Sequence, residues 1–260
     1  MTPTAPTTWP GLLATRRWID AGGEPPPAAD DPLAQLFHPL AACPKGRGFV
    51  VAHLGQSLDG RIATASGHSH YIGGHESLVH LHRLRALVDA VVIGVGTALA
   101  DAPRLTVRHV EGPNPVRVVI DPRGRLDADA SLVSDGLAPT LVVRSEVATT
   151  ALPGTVEVLT LPADAAGRLP PEDVRAALAA RGLTRLLIEG GGLTVSAFVA
   201  AGVVDRLQFA VAPLLIGSGR PALSLPAIAT LDEALRPPCR RFDLGTDTLY
   251  EFDLSAQHSA

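Results

Sequence analysis

The chain has 260 residues, 46% of them hydrophobic, and a formal net charge of −4. This composition is typical of a folded protein, and the mixed, mildly acidic charge argues against nucleic acid as a partner. Two cysteines are too few for a disulfide framework and no apolar run is long enough for a membrane span, so we expect a cytoplasmic protein that contacts no membrane.

Residues 1–47 contain the proline-rich stretch "AGGEPPPAADDP" and show little periodicity, so they are predicted to be an extension that wraps around the core or projects from it. From residue 48 onward, short β-branched runs alternate with helical stretches. Strands are predicted at 49–54, 90–95, 116–121, 140–144, 156–161, 185–189 and 205–215, and helices near 74–88, 171–181 and 192–201. Residues 255–260 are predicted to be a C-terminal tail.

Apolar strands interleaved with helices predict a mostly parallel sheet that is covered on both faces. The last two segments, "CRRFDLG" and "TLYEFDL", are separated by a short turn and predict an antiparallel hairpin at an edge of the sheet. The predicted fold class is therefore α/β, with a mostly parallel central sheet, flanking helices and an antiparallel C-terminal hairpin.

Five histidines fall within "GHSHYIGGHESLVHLH", residues 67–82, and suggest a metal site at first sight. The zinc motif HExxH places two histidines four residues apart on one face of a helix. His75 and His80 are five apart, which places them roughly 140° apart around a helix, so they cannot share one ion. We predict no metal site and interpret the histidines as solvated or hydrogen-bonding side chains.

The predicted helix near 74–88 carries a charge inside its apolar stripe. The stripe consists of Leu78, Leu81, Leu84 and Val88, and Arg85 falls between the first two in angle. One interpretation is that the arginine pairs with a buried carboxylate. The other is that it points into a cleft and binds an anion such as phosphate, which suits its planar guanidinium group.

Two predicted strands end in glycine-rich turns. In "RLLIEGGGLTVSAFVAAG", residues 190–192 connect a strand to a helix whose N-terminal N–H groups could face a pyrophosphate; the alternative is that the glycines only allow close packing. In "VVIGVGTALAD", Gly94 and Gly96 are followed by Leu99 where the dinucleotide-binding fingerprint needs a third glycine. Together the two turns predict a crevice at the carboxyl ends of parallel strands for a phosphate-bearing cofactor.

Five motifs in order resemble the reductase domain of the bacterial riboflavin-biosynthesis deaminase-reductase, which has the fold of dihydrofolate reductase. They are "SLDGRIATASGHSHYI" (57–72), "LRALVDAVVIGVGTALADAPRLTVR" (84–108), "RVVIDPRGRL" (117–126), "LIEGGG" (187–192) and "VDRLQFAVAPLLIGSG" (204–219). The resemblance covers about residues 48–254. It implies a homodimeric enzyme that uses NADPH to reduce the ribosyl group of 5-amino-6-(5-phosphoribosylamino)uracil to a ribityl chain.

The resemblance also implies the positions of the binding residues, although it names no catalytic residue. Implied substrate contacts are Ser69, Arg85, Leu105, Arg108 and Glu189. Implied cofactor contacts are Gly55, Tyr71, Thr97, Asp101, Pro122, Gly191, Gly192, Leu193, Thr194, Val195, Ser196 and Ala197.

Some of these positions have structural alternatives. A carboxylate at Glu189 could instead cap the following helix, and Asp59 in "SLDG" is typical of a turn. Arg123 and Arg125 follow a predicted strand and could meet the 2′-phosphate of NADPH, although exposed loop arginines are usually only solvated.

The chain also departs from the family pattern. The P-C-x-x-C ligands of the family's zinc deaminase domain do not occur, which predicts a stand-alone reductase. Many members have lysine at the position of His53 and tryptophan at that of Tyr71. Two further hypotheses therefore stay open: a reductase of another pterin or heterocycle, and a non-catalytic nucleotide-binding protein that kept the fold.

Overall fold

The computed structural model describes residues 5–70 and 72–255. Its strands are β1 (Phe49–Ser57), β2 (Arg61–Thr64), β3 (Ala90–Gly94), β4 (Val116–Ile120), β5 (Thr140–Arg144), β6 (Glu157–Thr160), β7 (Arg185–Glu189), β8 (Arg206–Ala212), β9 (Gly219–Pro221), β10 (Cys239–Leu244) and β11 (Asp247–Asp253). Its α-helices are α1 (Trp9–Asp20), α2 (Pro32–Ala41), α3 (His75–Leu87), α4 (Val95–Asp101), α5 (Ser131–Ser134), α6 (Pro171–Ala179) and α7 (Gly192–Ala200).

Most of the strands form one large sheet in the order β10-β11-β8-β1-β7-β3-β4-β5-β6. The strands from β8 to β6 run parallel, whereas β11 is antiparallel to both β8 and β10. The predicted α/β class, the mostly parallel sheet and the antiparallel C-terminal hairpin are all confirmed. The predicted strand at 205–215 ends earlier, at Ala212, because Pro213 has no backbone N–H to donate to a neighbouring strand.

Helices cover both faces of the sheet. On one face, α1, α2 and α3 pack against strand residues such as Val91, and their own contributions to this core include Leu12, Phe37 and Leu84. On the other face, α6 and α7 bury a second apolar cluster that includes Phe198. Burial of each large apolar side chain contributes about 1.5–3 kcal/mol, and the two clusters hold the sheet rigid between them. No helix in the two described ranges is both long and apolar enough to cross a bilayer.

The N-terminal extension wraps over the sheet, which is one of the two alternatives that the sequence left open. Its two helices were not predicted, although each begins at a recognisable signal. Thr8 caps α1 by accepting the Gly11 N–H. Asp31, which directly precedes Pro32, caps α2 by accepting the N–H groups of Leu33 and Ala34. The proline-rich stretch between the helices favoured the prediction of an irregular extension despite these capping residues.

Ion pairs tie α1 to the sheet. Arg185 in β7 is 1% exposed, and its Nη2 donates to Asp20 of α1 at 2.5 Å and to Asp89 at 3.2 Å. Arg16 of α1 also donates to Asp89, at 2.6 Å. A buried guanidinium needs such partners because an unpaired charge inside a protein is strongly destabilising.

The predicted apolar stripe of α3 is partly wrong. Leu78 is 41% exposed, whereas His80 and His82 are each 1% exposed and face the sheet together with Leu84 and Arg85. The prediction assumed that histidines prefer solvent. Here, one ring nitrogen of each histidine is hydrogen-bonded, His80 Nε2 with Gln208 and His82 Nδ1 with the Arg108 N–H, which allows polar side chains to replace leucine on the inner face. The Nδ1 atom of His80 has no partner among the described residues.

Candidate functional site

Arg85 and Glu189 form a mostly buried ion pair between α3 and the carboxyl end of β7. Arg85 Nε donates to Glu189 Oε2 at 2.8 Å, and Nη2 donates to the other carboxylate oxygen. The two side chains are 6% and 13% exposed. The carboxylate partner that the sequence suggested for Arg85 is therefore present. The capping role considered for Glu189 is wrong, because α7 has Gly191 as its N-cap and no side-chain cap.

The segment 105–108, which follows α4, lies against this pair. Arg85 Nη1 donates to the Thr106 carbonyl oxygen at 3.0 Å. Arg108 Nη1 donates to the Thr106 hydroxyl at 2.8 Å, while Arg108 as a residue remains exposed. Partial burial and the neighbouring charges of Arg85 and Arg104 lower the pKa of Arg108. Three guanidinium groups thus gather beside one carboxylate, which makes this a positively charged corner.

Ser69 and Asp101 also meet in the structure, although they came from the substrate set and the cofactor set respectively. Ser69 lies between β2 and α3, and its hydroxyl donates to Asp101 Oδ1 at 3.3 Å. Asp101 is the last residue of α4. Tyr71, which was predicted to contact the cofactor, lies outside the described residues. The loop 65–70 therefore reaches the end of α4, next to the segment that carries Arg108.

The two glycine-rich turns pack against each other, because β3 and β7 are neighbouring parallel strands. A Cβ atom on Gly191, which has a φ of +70°, would lie 2.7 Å from the Thr97 hydroxyl. A Cβ on Gly192 would lie 2.7 Å from the carbonyl oxygens of Pro221 and Ala222. The predicted common edge exists, and close packing explains why glycine is needed at both positions.

The same edge has features that fit an anionic cofactor. Neither α4 nor α7 has a side-chain cap, so backbone N–H groups at both N-termini are left for a ligand. A Cβ on Gly55 or Gly96 would meet no atom within 4 Å, so both positions border open space. Pro122 follows β4, the strand beside β3, and so lies at the same edge.

The predicted cofactor residues of α7 differ in how they are placed. Leu193 is 82% exposed, whereas Val195 and Ser196 are buried. Ser196 Oγ donates to the Gly192 carbonyl at 2.5 Å and accepts the Ser224 N–H at 2.8 Å. The Ser196 hydrogen bonds hold the turn in place, while Leu193 is left on the surface.

Three buried side chains lie near this corner, here called the buried histidines: His53, His80 and His82. The sequence alone suggested solvated or hydrogen-bonding side chains for His80 and His82, and marked His53 only as a departure from the family pattern. They are at most 5% exposed. Burial lowers the pKa of His53 to about 4 and that of His80 to about 3; for His82 burial and the charges of Arg85 and Arg108 lower the pKa to about 3. All three rings are neutral at physiological pH. The sequence signal that could have identified His80 and His82 is their position on the inner face of the predicted helix near 74–88.

Hydrogen bonds account for part of this cluster. His80 Nε2 lies 2.8 Å from Gln208 Oε1, and Gln208 in turn donates to Glu251 at 2.8 Å. The His53 and His80 rings are 5.2 Å apart, and His53 pairs in register with Glu189 on β7. The polar cluster therefore extends from the Arg85 corner to the C-terminal hairpin.

Three other residues considered from the sequence have structural roles or lie at the surface. Asp59 accepts hydrogen bonds from the Ser57 hydroxyl and the backbone of Ile216 and Gly217, which lower its pKa to about 2 and join two loops. Arg123 and Arg125 are exposed beyond β4. Across residues 5–70 and 72–255, no group of three or more histidine, cysteine or acidic side chains is placed to hold a metal ion.

Comparison with known proteins links these features to one family. A family model described as the RibD C-terminal domain matches residues 48–238. The chain is 37% identical over 217 residues to the 2,5-diamino-6-ribosylamino-4(3H)-pyrimidinone 5′-phosphate reductase of Methanothermobacter thermautotrophicus, a match that covers 79% of this chain and 98% of that protein. It is 33% identical over 212 residues to riboflavin biosynthesis protein RibD of Mycobacterium tuberculosis, covering 80% of this chain and 54% of that protein.

A solved structure has the same architecture. Acinetobacter baumannii RibD superimposes with a TM-score of 0.68 at 26% identity, and the match covers 91% of this chain and 67% of that chain.

Proposed function

The chain belongs to the RibD C-terminal domain family, and from that premise we propose that it reduces the ribosyl group of 5-amino-6-(5-phosphoribosylamino)uracil to a ribityl chain with NADPH. We place the reductase domain at residues 48–254, with helices α1 and α2 of the N-terminal extension 1–47 packed on it. The observation that carries the proposal is the meeting of a guanidinium-rich corner with an uncapped, glycine-lined strand edge.

The guanidinium-rich corner supports recognition of the substrate phosphate. Arg85 is largely occupied by Glu189 and Thr106, whereas the exposed guanidinium of Arg108 retains N–H groups that can donate to a phosphate oxygen. We assign the main phosphate contact to Arg108 and a longer-range electrostatic contribution to Arg85. Leu105, fully buried beside them with a φ of +55°, shapes the segment that presents Arg108.

Glu189 is suited to bind sugar hydroxyls. Each of its carboxylate oxygens accepts one hydrogen bond from Arg85 and keeps further acceptor capacity. The paired arginine holds the carboxylate in a fixed orientation at the strand end. Ser69, held near Asp101, completes the proposed substrate set on the opposite side of the corner.

The cofactor contacts are assigned to the glycine edge. Backbone N–H groups at the starts of α4 and α7 are suited to the pyrophosphate, and Thr97 and the open surface over Gly55 and Gly96 border the same space. The exposed Arg123 and Arg125 support a preference for the 2′-phosphate of NADPH. When bound, NADPH supplies the hydride for the reduction, while the chain's own residues bind and orient the sugar phosphate.

The direct test measures NADPH consumption by the purified full chain with 5-amino-6-(5-phosphoribosylamino)uracil, followed by identification of the ribityl product by mass spectrometry. NADH in place of NADPH tests the cofactor preference. If no substrate is reduced and NADPH does not raise the melting temperature, the proposal fails and the non-catalytic alternative gains support. Turnover of dihydrofolate instead would favour the heterocycle reductase.

A second substrate is favoured by one comparison. The archaeal relative is matched over 98% of its length and is named for 2,5-diamino-6-ribosylamino-4(3H)-pyrimidinone 5′-phosphate, a ribosylaminopyrimidine that has not been deaminated. The corner described above binds the phosphate and the sugar, which the two compounds share. Parallel assays with both compounds decide between them, and the ratio of their kcat/KM values is the deciding quantity.

We further propose that the enzyme is a cytoplasmic homodimer. Cys43 and Cys239 are free thiols, which suits a reducing compartment. Large apolar side chains are exposed in the C-terminal part of the chain, and their burial against a second copy would remove them from water: Leu215, Ile228, Leu231, Leu235 and Tyr250. Light scattering coupled to size exclusion measures the mass, and a monomer at micromolar concentration would contradict the dimer.

A further inference from the structure

His82 contacts the backbone of the segment that carries Arg108. It lies on α3, three residues before Arg85, and is 1% exposed. Its Nδ1 accepts the Arg108 backbone N–H at 2.9 Å. Its ring also packs edge-on against His109, with ring centroids 4.6 Å apart. One buried imidazole thus fixes the chain at two consecutive residues.

The segment needs this support because its backbone is strained. Leu105 adopts a φ of +55°, a left-handed conformation that costs a non-glycine residue about 1–2 kcal/mol. Two contacts from α3 hold the residues that follow: Arg85 donates to the Thr106 carbonyl at 3.0 Å, and His82 accepts from Arg108. Of these two contacts from α3, only that of His82 is made to Arg108, through its backbone N–H.

The protonation state of His82 suits an acceptor. Burial, with the positive charges of Arg85 and Arg108, lowers its pKa to about 3, so the ring is neutral at physiological pH. Because Nδ1 accepts an N–H, the ring proton is on Nε2. A protonated ring would have no lone pair for the Arg108 N–H and would place a second charge beside it.

We propose that His82 is a positioning residue for phosphate recognition, acting through the Arg108 backbone N–H so that the exposed guanidinium is held where the substrate phosphate binds. The inference rests on the proposed function only in naming the substrate phosphate. His82 is too deeply buried to touch the substrate itself. Its effect is therefore expected in KM, with kcat largely preserved.

The test compares His82→Asn with His82→Leu. Asparagine places a carbonyl oxygen at the same number of bonds from Cα as Nδ1, whereas leucine has a similar bulk and no acceptor. We expect His82→Leu to raise KM about tenfold, with kcat changed by less than about twofold. The KM of His82→Asn is expected to stay close to that of the wild-type protein. His75→Leu is the matched control, because His75 also packs edge-on near His109, whereas the hydrogen bond from the Arg108 backbone N–H goes to His82.

The double variant with Arg108→Ala separates positioning from simple destabilisation. If His82 acts through Arg108, His82→Leu adds no further increase in KM once the Arg108 side chain is gone. Full additivity of the two changes, or an equal KM for the asparagine and leucine variants, would overturn the inference.

Inorganic phosphate provides a readout that does not depend on turnover. Its dissociation constant, measured by calorimetry, is expected to rise about tenfold in His82→Leu and to stay near the wild-type value in His82→Asn and His75→Leu. A wild-type protein that reduces neither pyrimidine but shows this pattern refutes the proposed function and supports the positioning role. Absence of phosphate binding to the wild type, or equal binding to both His82 variants, refutes the positioning role.

Discussion

Replacing Arg85 by alanine removes a side chain that makes three hydrogen bonds: two to Glu189 and one, of 3.0 Å, to the Thr106 carbonyl. The Glu189 side chain is only 13% exposed, so its carboxylate would be left without its partner and largely out of reach of water. Removing one member of a buried ion pair typically costs about 3–5 kcal/mol. For a protein of this size that corresponds to a fall in melting temperature of about 6–20 °C.

The assay is the free energy of unfolding from urea titration, with the melting temperature as a second measure. Arg175→Ala, on the exposed face of α6, is the matched control and should change stability by less than about 0.5 kcal/mol. The double variant Arg85→Met with Glu189→Leu removes both charges and should recover much of the loss, because no unpaired charge remains. An Arg85→Ala variant as stable as Arg175→Ala would refute the interpretation of the pair as a buried, mutually dependent unit.

Three further outcomes follow from the structure. The buried histidines have pKa values of about 3 to 4 in the folded protein and about 6.5 when unfolded, so their contribution is complete above pH 6.5 and is lost as the pH falls. At pH 5, each buried histidine should lower the free energy of unfolding by about 2 kcal/mol relative to its value at pH 7. A free energy of unfolding that stays constant between pH 7 and 5 would contradict the burial of neutral rings. Gly192→Ala should lose about 1–3 kcal/mol because its Cβ would lie 2.7 Å from two carbonyl oxygens, whereas Gly96→Ala, with open space around it, should be neutral or stabilising in a thermal melt. Trp9→Phe removes the indole donor to the Glu111 carbonyl at 3.0 Å and should cost about 0.5–1.5 kcal/mol in urea titration; a larger loss would show that the ring's packing matters more than its N–H.

The order of strands and helices could be predicted from the sequence because continuous β-branched runs and glycine turns are local signals. The common edge of the two glycine turns followed from the general rule for parallel sheets, whereas the direct pairing of β3 with β7 is visible only in the structure. The partner of Arg85 could be predicted only as a type of residue. Its identity depends on Glu189, 104 residues away in the chain, coming to lie opposite α3.

Other features escaped because they depend on tertiary contacts. His82 looks polar in a helical wheel, and its burial makes sense only once the Arg108 N–H is known to meet it. Leu78 fits the apolar pattern, yet it is 41% exposed. The caps of α1 and α2 were readable, but the prolines around them favoured an irregular interpretation.

The similarity to the family begins at residue 48, whereas the packed core begins well before it. Leu12 and Phe37 belong to the same apolar cluster as the central strands, and Asp20 is a partner of the fully buried Arg185. The packed core therefore extends beyond the N-terminal limit of the family model. A shortened chain that starts at residue 48 would uncover part of one face of the sheet and leave Asp89 as the remaining carboxylate partner of Arg185. Expression of this domain alone would therefore test the loss of α1 and α2 as well as the chemistry of the site.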